Sequence, residues 1–124
     1  MTAAPPRWRR WAPAVAWAAL LLVLTSIPNP PVPRTLAGTD KVVHALLYGV
    51  LAWLVVRAML PVARTLPALA AAWLAVLALG WADEWHQQFI PGRSQDAADW
   101  LADGTGAALA ILTASARSRR EQPT

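Results

Sequence analysis

Polar and ionisable residues are concentrated in the stretch from Trp81 to Gly106, which carries five of the seven acidic residues of the chain. Mostly apolar runs lie on both sides of this stretch. Carboxylates at the rim of a bilayer can coordinate a cation, transfer a proton or bind a polar head group, and they are costly to expose to lipid. We therefore expect the chemistry of this chain to lie here.

The candidate residues recur at helical spacing on three segments. Asp40, His44 and Tyr48 stand at i, i+4 and i+8, which places them on one helix face. Glu84 and Gln88 repeat the four-residue interval. A third stripe has intervals of three, four and three residues and consists of Asp96, Asp99, Asp103 and Gly106. Because an ionisable group facing lipid costs about 3 kcal/mol or more, we expect the stripes to converge on each other or on water.

Structural roles compete with functional ones for several of these residues. Asp40 and Asp96 each stand at a predicted helix start, where Asp caps free backbone N–H groups. His86 is expected at the solvated rim, in a structural role. Tryptophans near the same edge suit an aromatic belt better than a stacking platform: Trp81, Trp85 and Trp100.

Arg93 follows the predicted turn at Pro91-Gly92, between the second and third stripes. Since a tight turn keeps its two helices adjacent, Arg93 is predicted to pair with one of the nearby carboxylates, namely Glu84, Asp96 or Asp99. His44 is expected to approach the same cluster.

Three kinds of chemistry remain open for this cluster. Carboxylates with His44 could hold a divalent cation, and a carboxyl group could act as general acid or base near a lipid phosphate. Alternatively, Arg93 and Lys41 could hold an anionic head group. The chain has no HExxH, P-loop, GxSxG or Ser-His-Asp pattern. No metal ligands, catalytic residues or cofactor are therefore assigned from the spacing.

The elements that position these residues are predicted to be four helices in a single domain covering residues 1–124. A proline-rich segment at 28–38 cannot be helical, and Pro61 and Pro91-Gly92 separate the remaining runs. The predicted helices cover about 11–27, 40–60, 67–88 and 96–116. At 56% apolar residues the chain is expected to be an all-α membrane protein with four transmembrane helices.

The distribution of Lys and Arg predicts orientation and excludes one class of partner. Eight basic residues fall on the side of the termini, and three fall on the other side: Arg34, Lys41 and Arg93. The positive-inside rule then places both termini in the cytoplasm. The net charge of +4 lies in short clusters beside apolar runs, so nucleic acid is not expected as a partner. A basic start also fits a signal peptide, but no A-x-A site follows, and the first helix is expected to be retained.

These motifs together resemble the VanZ-like family, over roughly residues 28–113. The resemblance implies a multi-pass protein of the bacterial cytoplasmic membrane, and the namesake is associated with resistance to the glycopeptide teicoplanin. It is carried by Asp40-Lys41-Val42-Val43-His44, Tyr48, Glu84-Trp85-His86-Gln87-Gln88, Pro91-Gly92-Arg93-Ser94, Asp96, Asp99 and Gly106. The functional residues that it implies are Asp40, His44, Glu84, Gln88, Arg93, Asp96 and Asp99. Asp103 departs from the family, which often has Asn there.

The expected function is a binding role at the outer face of the membrane. The bilayer is one expected partner, and the ligand is expected to be a lipid-linked envelope precursor or an amphiphilic glycopeptide. An enzyme remains an alternative, either a hydrolase or a transferase acting on a lipid phosphate. A second alternative is a structural or assembly subunit, in which the polar stripes only join helices.

Overall fold

The computed structural model describes residues 5–28, 38–59 and 65–121. Within these ranges the chain forms four α-helices and no strand, which confirms the predicted all-helical fold and the number of helices. The helices are α1 (Arg7–Thr25), α2 (Thr39–Met59), α3 (Leu66–Gln87) and α4 (Ala97–Arg120). Most of the predicted proline-rich segment, the return loop around Arg64 and also Arg34 lie outside the described residues.

The outer two helices are longer than predicted. α1 begins at Arg7, after its N-cap Pro6, whose carbonyl accepts a hydrogen bond from Arg9 N–H, and it continues through Pro13. α4 continues to Arg120. Its last turn is favoured by positive charge near the negative end of the helix dipole, supplied by Arg117, Arg119 and Arg120.

The starts of α3 and α4 are fixed by side-chain caps. The Thr65 hydroxyl accepts a hydrogen bond from Ala68 N–H, and proline stands in the first turn of α3. The Asp96 carboxylate accepts from Ala98 N–H at 2.8 Å. Asp96 is therefore the N-cap of α4, which is the structural one of the two roles that the sequence left open for it.

Among the described helices, α2 and α3 are long and apolar enough to cross a membrane. They contain 21 and 22 residues with mean hydropathies of 1.8 and 1.6. At about 1.5 Å per residue each exceeds the roughly 30 Å of a bilayer hydrocarbon core. Large apolar side chains on α2 face outward, among them Val42, Leu46 and Trp53. Such a surface suits lipid.

α2 and α4 form the closest pair in the bundle. A Cβ on Gly106 would collide with the backbone of Ala45, and a Cβ on Gly49 would lie 3.2 Å from the Gly106 carbonyl oxygen. Small residues at such a crossing let two helix backbones approach. The apolar core continues from this crossing toward α3 through Leu51, Ala52, Val56, Val76, Ala107 and Ile111.

Tryptophan indoles tie neighbouring helices together. Trp17 donates to the Leu47 carbonyl, joining α1 to α2, and Trp100 donates to the Leu77 carbonyl, joining α4 to α3, each at 2.9 Å. Trp81 and Trp85 are half exposed, at 55% and 50%. Trp100 therefore has a defined partner inside the bundle, whereas the belt predicted for the three tryptophans stays a prediction.

Candidate functional site

The predicted polar residues lie at one end of the bundle. The chain runs alternately up and down, so this end contains the last turn of α1, the first turns of α2 and α4, and the last turns of α3. Helix N-termini carry partial positive charge, which favours carboxylates beside α2 and α4. The side chains divide into three groups with different chemistry.

The outer triad consists of Asp40, Asp96 and Asp99, which surround the ammonium group of Lys41. The Nζ atom lies 2.9 Å from Asp40 Oδ2, 2.8 Å from Asp96 Oδ2 and 2.5 Å from Asp99 Oδ1. The Asp40 and Asp96 side chains are 54% and 44% exposed, whereas that of Asp99 is 12% exposed. The hydrogen bond from Lys41 holds the pKa of Asp96 below its usual value. Three carboxylates here share one cation.

The inner triad consists of His44, Glu84 and Asp103, one from each of α2, α3 and α4. His44 Nδ1 lies 2.8 Å from Asp103 Oδ1, and His44 Nε2 lies 3.6 Å from Asp99 Oδ2. Glu84 is 2% exposed and Asp103 is fully buried. One atom from each triad member can be chosen so that all three lie within 4.8 Å of one another.

Glu84 connects α3 to the start of α4 through the backbone. Its Oε2 atom accepts a hydrogen bond from Asp96 N–H at 2.9 Å. The turn that brings Asp96 back toward α3 requires a positive φ, which Gly92 supplies at 77°. The predicted Pro91-Gly92 turn is thus confirmed, and it positions the cap of α4 over the end of α3.

Two oxygens of the inner triad have no donor in the described part of the chain. They are Glu84 Oε1 and Asp103 Oδ2, and both are buried. His86 Nδ1 is also buried without a partner there. Buried polar atoms are usually paired, so each of these requires an explanation.

The third group, the Asp83 network, joins three helices around one carboxylate. Thr25 of α1 donates to Asp83 Oδ1 at 2.6 Å, and Tyr48 of α2 donates to Oδ2 at 2.9 Å. Gln87, one turn along α3, donates to Oδ2 at 3.4 Å. All four side chains are buried. Neutral donors therefore satisfy both oxygens of Asp83, and Tyr48 belongs to this network rather than to the triads.

The predicted contact of Arg93 with a carboxylate is wrong. Its Nε atom donates to the Ile27 carbonyl and Nη2 to the Leu24 carbonyl, each at 2.9 Å. No carboxylate of the described residues lies within 4.0 Å of it. The physical reason is competition. The final carbonyls of a helix lack intrahelical partners and attract cations, so Arg93 binds the end of α1, while Lys41 occupies the carboxylates instead.

Gln88 is not brought into the site by the fold. α3 ends at Gln87, and Gln88 is an exposed C-cap residue, whereas Gln87 is buried against Asp83. Gln88 keeps helical backbone angles but lies at the surface, so its four-residue spacing from Glu84 did not predict burial. Asp83, Gln87 and Thr25 were missed, although the Asp83–Gln87 interval of four residues was available as a signal.

The chain is thus all-helical in the part that the structure describes, with two helices of membrane length and a buried polar group at one end. These features define a small all-helical protein, two of whose described helices are apolar enough to cross a membrane. The VanZ/LLP1 family model matches residues 6–117, nearly the whole chain, and the chain belongs to this family. Comparisons with curated proteins and with solved structures found no match.

The charges at this end determine which ligands it can accept. Six carboxyl groups meet here: Asp40, Asp83, Glu84, Asp96, Asp99 and Asp103. Among the described residues, their ion pairs come from Lys41 and, when it is protonated, His44. The surplus of negative charge favours cations, ammonium groups and hydrogen-bond donors over a bare phosphate. The alternative in which Arg93 and Lys41 hold an anionic head group is not supported by this arrangement, because Arg93 binds carbonyls of α1 and Lys41 binds three carboxylates.

Proposed function

We propose that this protein is a multi-pass protein of the bacterial cytoplasmic membrane, with four spans and both termini in the cytoplasm. The polar end then faces outward and binds the head group of an amphiphile whose apolar part stays in the bilayer. The ligand class is an envelope lipid precursor or an amphiphilic glycopeptide. Membership of the VanZ/LLP1 family and the two apolar helices support the membrane location.

The observation that carries this proposal is the position of the outer triad beside apolar surface. On α2, Asp40 and Lys41 are followed directly by Val42 and Val43, which are 59% and 41% exposed, and Leu46 is 65% exposed. A polar group that is accessible at the helix ends and a lipid-facing surface below it match the two halves of an amphiphile. The acidic character favours a head group that brings ammonium or many N–H and O–H donors.

The orientation can be tested by cysteine labelling, since the chain has no cysteine of its own. Single cysteines at Thr35 and Gly92 should react with a membrane-impermeant maleimide on intact cells, whereas one at position 64 should react only after permeabilisation. This pattern follows from the eight-to-three distribution of basic residues. Labelling of position 64 alone from outside would overturn the orientation.

The ligand class can be tested by antibiotic susceptibility in a susceptible host. Expression should protect against teicoplanin, which carries an acyl chain, and not against vancomycin, which does not. Asp99→Asn should remove the protection because it weakens the outer triad, while Glu121→Gln, at the opposite end of α4, should keep it. Immunoblots must show equal membrane levels. Equal susceptibility to both drugs with and without the protein would remove antibiotic protection as the function.

An enzyme acting on a lipid phosphate is the second candidate, and the inner triad favours it. His44 is held by Asp103, and the free oxygen of Glu84 lies nearby, an arrangement that can accept and return a proton. Incubation of the purified protein with lipid-linked phosphates, with and without chelator, would reveal product. Binding without turnover would leave the first candidate in place.

A further inference from the structure

Among the residues that the structure describes, two groups of side chains have the residue types and spacing to hold a metal ion. In the outer triad the ammonium of Lys41 already lies at hydrogen-bond distance from all three carboxylates. The inner triad has no lysine or arginine of the described residues within ion-pair distance. The two groups therefore differ in whether the chain itself supplies the cation.

We propose that His44, Glu84 and Asp103 bind one divalent transition-metal ion at the centre of the bundle. This inference goes beyond the proposed function and does not depend on it. The ion connects α2, α3 and α4 at the point where the polar end meets the apolar core. The ion would supply positive charge to the inner triad, as the ammonium group of Lys41 does for the outer triad.

The spacing of the three side chains fits one ion. Ligand atoms at about 2.0–2.2 Å from a tetrahedral zinc ion lie roughly 3.4 Å from one another. The candidate atoms of the inner triad already lie within 4.8 Å of one another, so small side-chain rotations close the shell. Asp99 Oδ2, 3.6 Å from His44 Nε2, is too distant for a hydrogen bond, and Asp99 belongs to the outer triad.

The unpaired oxygens are the independent sign of a ligand. Glu84 Oε2 and Asp103 Oδ1 each have a protein donor, but Glu84 Oε1 and Asp103 Oδ2 have none in the described residues. Both residues are at least 98% buried, since their exposures are 2% and 0%. A buried anionic oxygen without a partner is strongly unfavourable, and a bound cation removes that penalty. Asp83, also buried, shows that the same bundle can satisfy a carboxylate where it is structural.

The surroundings hold two of the three side chains in place. The hydrogen bond between His44 Nδ1 and Asp103 Oδ1 holds the imidazole ring beside the carboxylate, and an ion bound between these two atoms would take its place. Gly80 makes room for Asp103, because a Cβ at position 80 would lie 2.9 Å from Asp103 Oδ2. The site is thus built by neighbours as well as by its own members.

The ligand types select the metal. One imidazole nitrogen with carboxylate oxygens suits Zn²⁺ or Mn²⁺, whereas Mg²⁺ and Ca²⁺ prefer oxygen ligands alone. The sequence showed no metal signature because the ligands come from three helices, 40 and 19 residues apart in the chain. A proton on one of the carboxyl groups is the rival way to satisfy the free oxygens, and metal measurements separate the two.

The test uses the full chain in detergent, purified without a histidine tag and stripped with chelator. Zn²⁺, Mn²⁺ and Mg²⁺ are titrated by calorimetry, and retained metal is measured by mass spectrometry. We expect one Zn²⁺ or Mn²⁺ per chain, no saturable Mg²⁺ binding at the same concentrations, and at least about tenfold weaker affinity in Glu84→Gln and His44→Gln.

Matched controls are available for both variants. His86 is the only other histidine in the chain, so His86→Gln should keep the wild-type affinity, and so should Asp40→Asn in the outer triad. Circular dichroism and a single elution peak establish that each variant is folded. If His44→Gln does not fold, the isosteric Glu84→Gln decides. Absence of saturable binding, or equal affinity in wild type and Glu84→Gln, would overturn the site. Neither result bears on the amphiphile, which is absent from the assay.

Discussion

Asp83 and Glu84 are consecutive residues of α3 and both are buried, but their carboxylates have opposite surroundings. Asp83 faces α1 and α2 and receives hydrogen bonds from Thr25 and Tyr48. Glu84, about 100° further around the helix, faces the start of α4 and receives one, which leaves Oε1 without a donor among the described residues. In that part of the chain both oxygens of Asp83 are hydrogen-bonded, and only one oxygen of Glu84 is.

This difference indicates how to separate structural from functional carboxylates in a helical bundle. A buried carboxylate whose oxygens are all satisfied by neutral donors connects elements and requires nothing from outside. A buried carboxylate with a free oxygen beside a histidine requires a proton, a metal or a ligand. Burial alone does not distinguish the two, because Asp83 and Glu84 are 1% and 2% exposed.

The largest effect is expected at the crossing of α2 and α4, on which both polar regions depend. Gly106→Ala should separate α2 from α4, because the new Cβ would collide with the backbone of Ala45. We expect a loss of about 3 kcal/mol in the free energy of unfolding or failure to fold. Thermal unfolding in detergent measures it.

Gly104→Ala is the control for that substitution. Its Cβ would meet Leu77 Cδ2 at 2.7 Å, and the end of a leucine side chain can move aside where a backbone cannot. The loss of stability should be clearly smaller than for Gly106→Ala. Equal losses would mean that backbone approach at Gly106 does not set the spacing of α2 and α4.

The second-largest effect is expected at Asp83, the carboxylate whose two oxygens are both hydrogen-bonded. Asp83→Ala removes the acceptor of Thr25, Tyr48 and Gln87, and a hydrogen bond contributes about 1 kcal/mol on average. We expect a loss of about 3 kcal/mol by thermal unfolding, with zinc affinity of the folded protein unchanged. Tyr48→Phe should cost less, about 1–2 kcal/mol. A stable Asp83→Ala protein that no longer binds zinc would reverse the roles assigned to Asp83 and Glu84.

The third effect is expected at Glu84, whose Oε1 atom has no donor among the described residues. Glu84→Gln keeps the shape of the side chain and an oxygen that can accept from Asp96 N–H. We expect the stripped protein to change in stability by less than about 1 kcal/mol, because no charged partner is lost. The metal-dependent rise in melting temperature should be clearly smaller than in wild type at the same metal concentration. A loss as large as that of Asp83→Ala, with metal binding kept, would assign Glu84 a structural role.

Helical spacing predicted the helices and much of the polar end, for physical reasons that are local. Apolar runs ended by Pro61 and Pro91-Gly92 predicted four helices, and the i, i+4 interval placed Asp40 and His44 on one face. The boundaries of α1 and α4 were wrong by four residues at their outer ends, where arginines continue a helix as well as they anchor a terminus. These errors do not affect the site.

Contacts between helices could not be predicted from spacing. Arg93 binds the carbonyls of Leu24 and Ile27, residues more than 60 positions away, and this choice depends on where α1 ends in space. The division between Asp83 and Glu84 likewise depends on which helix lies on each side of α3. One of the three possibilities from the sequence gave Lys41 an anionic head group, whereas the fold places three carboxylates around it.

The smallest effect is expected at the outer triad, where the chain supplies its own cation. Lys41 lowers the pKa of Asp96, so Asp96 is more acidic in the folded chain than in the unfolded chain, where its pKa is about 3.9. The resulting stabilisation is fully present above that value and is lost as pH falls through the lowered folded pKa. Lys41→Met should therefore be less stable than wild type at neutral pH, and the difference should shrink below about pH 4.

Melting temperatures of both proteins between neutral and acidic pH, at low salt, measure this difference. The effect is small because Asp40 and Asp96 are accessible to water and ions, and concentrated salt should reduce it further. Arg57→Met is the control, since Arg57 lies on the same helix against Trp53 and away from the carboxylates. Its difference from wild type should not vary over this pH range. If the difference between Lys41→Met and wild type is also independent of pH, Lys41 does not compensate the charge of the outer triad. The contrast drawn between the outer triad, which has its own cation, and the inner triad would then be wrong.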